Sequence, residues 1–107
     1  MANYTMPSVK VGETFEGVCF TMSRNNIPLD LTSASIVMNV SANGINIEFS
    51  TINEKLRIMD APNGVFEFRK QFIDFWSYGV FPYDITINFP NGDIKKYITG
   101  TWTILRD

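Results

Sequence analysis

Few side chains in this sequence could do chemistry. Histidine is absent from all 107 residues, which removes the commonest general base and the commonest metal ligand together. Ser-His-Asp and Cys-His triads and Cys/His zinc sites are excluded by that one fact. The glycines are isolated, each fitting a turn, bend or bulge, so no glycine-rich loop cradles a phosphate. Carboxylates remain. Asp30, Asp60, Asp74, Asp84 and Asp93 fall in or beside turns, or on the polar face of a strand. Asp60 and Asp93 flank turns, where an Asp serves the local backbone. A glycosidase needs two carboxylates facing across a cleft, and no spacing here marks such a pair. Asn25 and Asn26 with Asp30, or Asp60 with Asn63, come nearest to the oxygen-rich loop of a calcium site. The expected counts of catalytic residues, metal ligands and cofactor-binding residues are all zero.

Composition points the same way. The net charge is −2, with both signs scattered and no basic run, so nucleic acid is not an expected partner. No stretch approaches the roughly 20 apolar residues of a membrane span. The first ten residues lack the apolar run of a secretory signal, and synthesis in a cytoplasm is expected. Cys19 is the only cysteine, which excludes an internal disulfide and an immunoglobulin-type inter-sheet bridge. Lying between Val18 and Phe20, its thiol is expected to be buried and inert.

The frame that must position any site is read most clearly in residues 83–105. Tyr83, Ile85, Ile87 and Phe89 alternate with Asp84, Thr86 and Asn88, the period-2 mark of a half-buried strand. Asn91-Gly92 supplies a hairpin turn. On the return strand Ile94, Ile98, Trp102 and Ile104 share one parity, and Gly100 leaves room for a bulge or for close approach of another backbone. Upstream, a first strand candidate over 13–22 changes parity across Gly17, which predicts a bulge or bend there. Ile36, Met38 and Val40 alternate before a second hairpin signal at Asn43-Gly44. Ile45, Ile47 and Phe49 alternate on the way back, and short strands follow at Leu56–Ile58 and 65–70, with Phe66 and Phe68 inward. Phe72, Phe75 and Trp76 fall at helical spacing and Gly79 stands where a helix would stop, predicting one helical turn near 71–79.

Seven to eight short strands with turns about every ten residues predict an all-β fold, a single antiparallel β-sandwich of Ig-like, Greek-key type. Its length suits one domain, with an N-terminal arm over residues 1–11 and the sandwich over 12–107. The expected core is Phe20, Ile36, Met38, Val40, Phe66, Phe68, Ile85, Ile87, Ile98, Trp102 and Ile104. The aromatic group Phe72, Phe75, Trp76, Tyr78 and Phe81 reads either as a plug over the open end or as a patch that docks another subunit. Candidate partner contacts are Tyr4, Met6, Phe75, Trp76, Tyr78 and Phe81, with an exposed sheet edge as a further possibility. Two other classes of function are weighed against docking. Trp76, Tyr78 or Tyr97 would stack on sugars in a carbohydrate-binding module, and a carboxylate pair would serve an enzyme.

Five stretches carry a resemblance: Gly-Glu-Thr-Phe at 12–15, Pro-Leu-Asp-Leu-Thr-Ser-Ala-Ser-Ile at 28–36, Asn-Gly-Val-Phe-Glu-Phe at 63–68, Gly-Val-Phe-Pro-Tyr-Asp-Ile-Thr-Ile at 79–87, and the run from Asn91 to Ile104 ending Gly-Thr-Trp-Thr-Ile. Together they resemble small β-sandwich domains of tailed bacteriophages, including the N-terminal domain of baseplate upper proteins. That family often reads Leu-Thr-Gly-Ala where this chain has Ser33 after Leu31-Thr32, and Tyr-x-Tyr-Asp-Ile where this chain has Phe81-Pro82 before Tyr83. The resemblance implies assembly rather than catalysis. The expected protein is a virion component (tail, baseplate, fibre adaptor or head decoration) made in the bacterial host cytoplasm. Its expected partners are other virion proteins and copies of itself, with no cofactor, small-molecule substrate, membrane or nucleic acid.

Overall fold

Strand pairing in this protein follows the alternation of its apolar side chains, with three register shifts among the described residues, in the β9–β10, β12–β13 and β2–β13 pairings. The computed structural model describes residues 2–42, 44–72 and 78–106. Within them the fold is all-β, and the one helical element is a 3-10 turn at Ala61–Asn63. In chain order the strands are β1 (Ala2–Asn3), β2 (Met6–Lys10), β3 (Thr14–Phe15), β4 (Val18–Thr21), β5 (Ser23–Arg24), β6 (Ile27–Pro28) and β7 (Ser35–Ala42). They continue as β8 (Ile45–Ser50), β9 (Leu56–Asp60), β10 (Val65–Phe68), β11 (Gln71–Phe72), β12 (Gly79–Asn88) and β13 (Ile94–Leu105). These thirteen exceed the expected seven or eight because several ladders are only two residues long.

The larger sheet runs β13-β12-β7-β8, with β1 and β2 laid end to end along the outer side of β13. A smaller sheet runs β4-β10-β9, and β3 with β11 and β5 with β6 form two-stranded ladders. The break between β3 and β4 falls at Gly17, where the parity change put it. There φ is +93° and an added Cβ would lie 2.6 Å from the Phe68 carbonyl oxygen. Asn25 and Asn26 both have positive φ (53° and 63°), the geometry of a two-residue hairpin turn between β5 and β6.

All eleven expected core residues are buried. They share one cluster with Met6, Val9, Phe15, Leu31, Phe49, Leu56, Phe81 and Tyr83. At its centre Trp102 meets Phe15 at 5.0 Å, Phe68 at 5.3 Å and Phe49 at 5.9 Å between ring centroids. The two sheets thus bury their rings against each other. Removing a fully buried ring such as that of Phe68 would cost about 3–5 kcal/mol.

Four expectations need correction. First, Ile94 is 71% exposed. The β12–β13 register shifts between Ile85 and Thr86, pairing Ile85 with Ile98 but Thr86 with Lys96. Tyr97 is the extra residue, and one extra residue reverses the facing of everything before it. Second, Cys19 is exposed. It points outward from β4 beside Glu67 of β10, while its neighbour Phe20 points in. Third, the sheet is not purely antiparallel: β1 and β2 run parallel to β13. Residues expected as an arm are therefore strands of the larger sheet. Fourth, the helical turn is not seen at the ends of its segment, because Gln71 and Phe72 pair with Phe15 and Thr14, and Gly79 begins β12. Residues 73–77 lie outside the described residues.

The Leu-Thr-Ser stretch has a specific geometry. Asp30 accepts from the main-chain N–H and the hydroxyl of Thr32 at 2.9 and 2.6 Å, and Leu31 between them is fully buried. Ser33 follows at φ +60°, in the left-handed region that favours glycine. A left-handed residue costs about 1–2 kcal/mol, and glycine's extra chain entropy gives back about half of that gain. Ser33→Gly is therefore expected to raise unfolding free energy by about 0.5–1 kcal/mol, measured by urea denaturation.

Gly100 is the second position where the residue type decides the fold. An added Cβ there would overlap the Tyr4 carbonyl oxygen and come within 2.8 Å of its carbonyl carbon. Gly100→Ala is expected to cost about 2 kcal/mol or more by overpacking and to make residues 1–13 the first site of limited proteolysis. Unchanged stability with an uncut N-terminus would contradict this packing.

Candidate functional site

The N-terminal strands are positioned by a set of side-chain and main-chain contacts. Ala2 and Asn3 pair with Ile98 and Thr99, and the Tyr4 N–H donates to the Thr99 carbonyl at 2.9 Å. Met6 pairs with Trp102, but Val9 pairs with Ile104, so one extra residue sits between them. This bulge contains Pro7, which has no N–H to lose from the ladder. It turns both Met6 and Val9 inward although they are three apart, with Pro7 and Ser8 exposed. The Pro7 carbonyl accepts the indole N–H of Trp102 at 3.0 Å. The Tyr83 hydroxyl donates to the Tyr4 carbonyl. Burial, and then the neighbouring Tyr4, push the Tyr83 phenol up to about 12.

The candidate contact residues separate into three groups. Met6 is 2% exposed and Phe81 is 7% exposed. Both point into the core and are unavailable to a partner, Met6 because of the bulge and Phe81 because it pairs with Trp102 on the inner face. Tyr4 sits at the rim, 36% exposed, edge-on to Phe20 at 5.4 Å. Tyr78 is exposed, with the Arg106 guanidinium 5.3 Å from its ring centroid. Phe75 and Trp76 lie outside the described residues. The structure adds exposed Val80 and Leu105 beside Tyr78, at the adjoining ends of β12 and β13. Their outward parity was legible, since Val80 alternates with Phe81 and Leu105 with Ile104. An apolar strip therefore marks one end of the larger sheet's outer face.

Elsewhere that outer face is mostly polar, with Val37, Pro82 and the exposed Ile94 as apolar members. A shallow trough of about 510 Å³ is bordered by Asn3, Asn39, Asn46, Asp84, Thr99 and Thr101, among others, over the side-chain-free floor at Gly100. Asn46 donates to Asn39 at 3.0 Å, and Asp84 pairs with Lys96 at 3.3 Å. Among the described residues that border it Tyr83 is the one aromatic, and its ring is buried. The sugar-stacking candidates are far apart. Tyr78 lies near Leu105, while Tyr97 packs edge-on to Phe89 at 6.2 Å near the other end of the hairpin. Eight residues of strand separate Tyr97 from Leu105, or about 26 Å, too far for one stacking platform.

The described aspartates serve local structure. Asp30 is held below the usual carboxylate range by the Thr32 hydroxyl and then its main-chain N–H. Asp60 accepts from the Asn63 amide at 2.8 Å, closing the 3-10 turn. Asp93 and Asn91 bond each other across the β12–β13 turn. Asp74 lies outside the described residues. Two glutamates are also paired on the smaller sheet's outer face, Glu67 with Arg57 at 2.7 Å and Glu16 with Lys70 at 3.3 Å. Such exposed pairs contribute about 0–1 kcal/mol each. Among the described residues no three Cys, Asp or Glu side chains gather as a metal site. No described helix is long and apolar enough to cross a membrane. No family model matches the chain, and no curated protein matches its sequence.

The Tyr83 latch has a pH signature. Its folded-state pKa stands near 12 against an ordinary 10. The stability it contributes is therefore complete below pH 10 and lost as pH rises from about 10 to 12. Ultraviolet titration of tyrosine is expected to show one phenol ionising late, with the N-terminal strands released in the same interval. Tyr83→Phe is expected to abolish the late phase and keep the fold.

Proposed function

We propose that this protein is a non-enzymatic structural subunit of a tailed-phage virion, in tail, baseplate, fibre adaptor or head decoration, working through protein–protein contacts. In this reading the two sheets form one Ig-like β-sandwich, as in the phage domains its motifs resemble. The observation that carries it is the exposed apolar strip of Tyr78, Val80 and Leu105 at one end of the larger sheet's outer face. Exposed apolar groups gathered on one face mark an interaction surface, and Tyr with an adjoining Arg is the composition that binding hot spots favour.

A second support is where the chemistry goes. The described aspartates are occupied with turns, caps and ion pairs, leaving contact rather than reaction as the working mode. The motifs behind the resemblance have structural duties of the same kind: Leu31 fills the core, Ser33 takes the left-handed turn and Gly100 admits the Tyr4 backbone.

Light scattering of the purified chain at rising concentration is expected to reveal a defined oligomer, or binding to a larger virion component when one is added. Val80→Asp changes an exposed residue and is expected to weaken that association tenfold or more with little loss of stability, since one desolvated charge at an apolar contact costs well over 1.4 kcal/mol. A chain that stays monomeric at high concentration and binds no virion protein would overturn the proposal.

A further inference from the structure

We infer that the N-terminal strands β1 and β2 are exchangeable between copies, each chain inserting residues 2–10 along β13 of its neighbour. The inference rests on the reading of this protein as an assembling subunit and names the joint.

The segment is held as a guest on the edge of a separate body. Residues 2–10 are anchored by pairing and hydrogen bonds to β13, by the Tyr83 hydroxyl of β12, by the Phe20 ring of β4 and by the adjoining turn. The site it fills is specific. It offers room for Met6 and Val9 in the core, the Trp102 N–H for the Pro7 carbonyl, the Tyr83 hydroxyl for the Tyr4 carbonyl, and bare backbone at Gly100. The occupant that satisfies all of these is this chain's own segment, from the same copy or from another. A generic extended peptide would lack the bulge that places two apolar side chains three residues apart on one face.

Val11, Gly12 and Glu13 join the segment to β3. This turn is closed by the Glu13 N–H on the Lys10 carbonyl at 3.1 Å and by the Lys10 N–H on the Glu13 carboxylate at 3.3 Å. Gly12 stands at φ +80° with nothing within 4 Å of an added Cβ. Opening the turn gives up those two exposed hydrogen bonds, while the Val11 N–H bond to the Leu105 carbonyl at 3.1 Å travels with the segment. The contacts beyond the hinge are the same in the closed and exchanged forms, so hinge preference and local concentration decide between them. Subunits held side by side in an assembly have effective concentrations in the millimolar range. Three extended residues span about 10 Å, so the receiving copy must lie directly against the donor. Reciprocal exchange then closes a two-fold pair.

The test uses full-length chains carrying Cys19→Ser. One chain carries Asn3→Cys and a second, of different tag mass, carries Thr99→Cys. These positions are direct strand partners, both on the outer face, at the Cα separation a disulfide accepts. After incubation together at high concentration and mild oxidation, a covalent heterodimer is expected. It should form well above the level with a control partner carrying Ile27→Cys, an exposed residue of a different sheet. Gly12→Val removes no contact but is strained at positive φ in the closed turn. It is expected to raise the dimerisation constant on the order of tenfold per hinge, read by light scattering, and to raise the heterodimer yield in parallel. If the chains associate but cross-link no better than the control, exchange is overturned while assembly through the apolar strip stands. If wild type and Gly12→Val both stay monomeric and bind no virion protein, exchange and the proposed function fall together.

Discussion

The carbonyl of Tyr4 occupies the space a side chain at position 100 would need, and the larger sheet's edge depends on that one approach. With any other residue at Gly100, β1 could not lie against β13. The Tyr83 hydroxyl and the Trp102 indole N–H would then lose their acceptors, each at about 1–3 kcal/mol for a buried donor left unpaired. Met6 and Val9 would leave a gap beside the rings of the core. A missing side chain thus links the first strands of the chain to the aromatic centre of the fold. The link also runs through hydrogen bonds to main-chain carbonyls, which any copy of the segment provides equally.

Much of the scaffold was legible because alternation is a direct record of facing. The eleven core residues, both long hairpins and the break at Gly17 came from parity and turn chemistry, and Gly100 was legible from its place inside a strand. Two of the failures are register shifts, which leave no mark in residue type. The bulge at Tyr97 carries Ile94 off the core face. The bulge at Pro7 gives Met6 and Val9 a spacing of three, which matches neither strand nor a useful helix. A parallel edge formed by residues about 95 apart in sequence has no turn signal to announce it. At the candidate site, Phe81 was grouped with its aromatic neighbours by spacing, although its alternation with Val80 and Pro82 already placed it inward. Tyr83 is outside the expected core although its parity points inward, and the need of a buried phenol for an acceptor is the sign of the latch.

The chemistry of this chain is directed inward and locally. The described aspartates bond a neighbouring main-chain N–H, an amide or an ammonium group, and the trough on the larger sheet's outer face is bordered mainly by amides and hydroxyls. What remains for a partner is apolar surface at one end of that sheet and a detachable strand at its edge. Both features lie on β13 and its flank, so one face of the molecule could hold the strip against a neighbour while passing a strand to it. The small sheet on the other side carries the Arg57–Glu67 ion pair on its outer face, and Cys19 there is an exposed thiol beside it.

The central claim is that the N-terminal strands form a unit separable from the sheets that hold them. Native-state hydrogen exchange on the full chain tests it most directly, because opening of a cooperative unit appears as a shared free energy below that of global unfolding. The account predicts that the Tyr4 and Val11 amides, which donate to Thr99 and Leu105, exchange together through such a partial opening, while amides of β7 and β12 exchange only with global unfolding. Equal protection at Tyr4, Val11 and the centre of β12 would contradict it, since the first strands would then be as inseparable as the core.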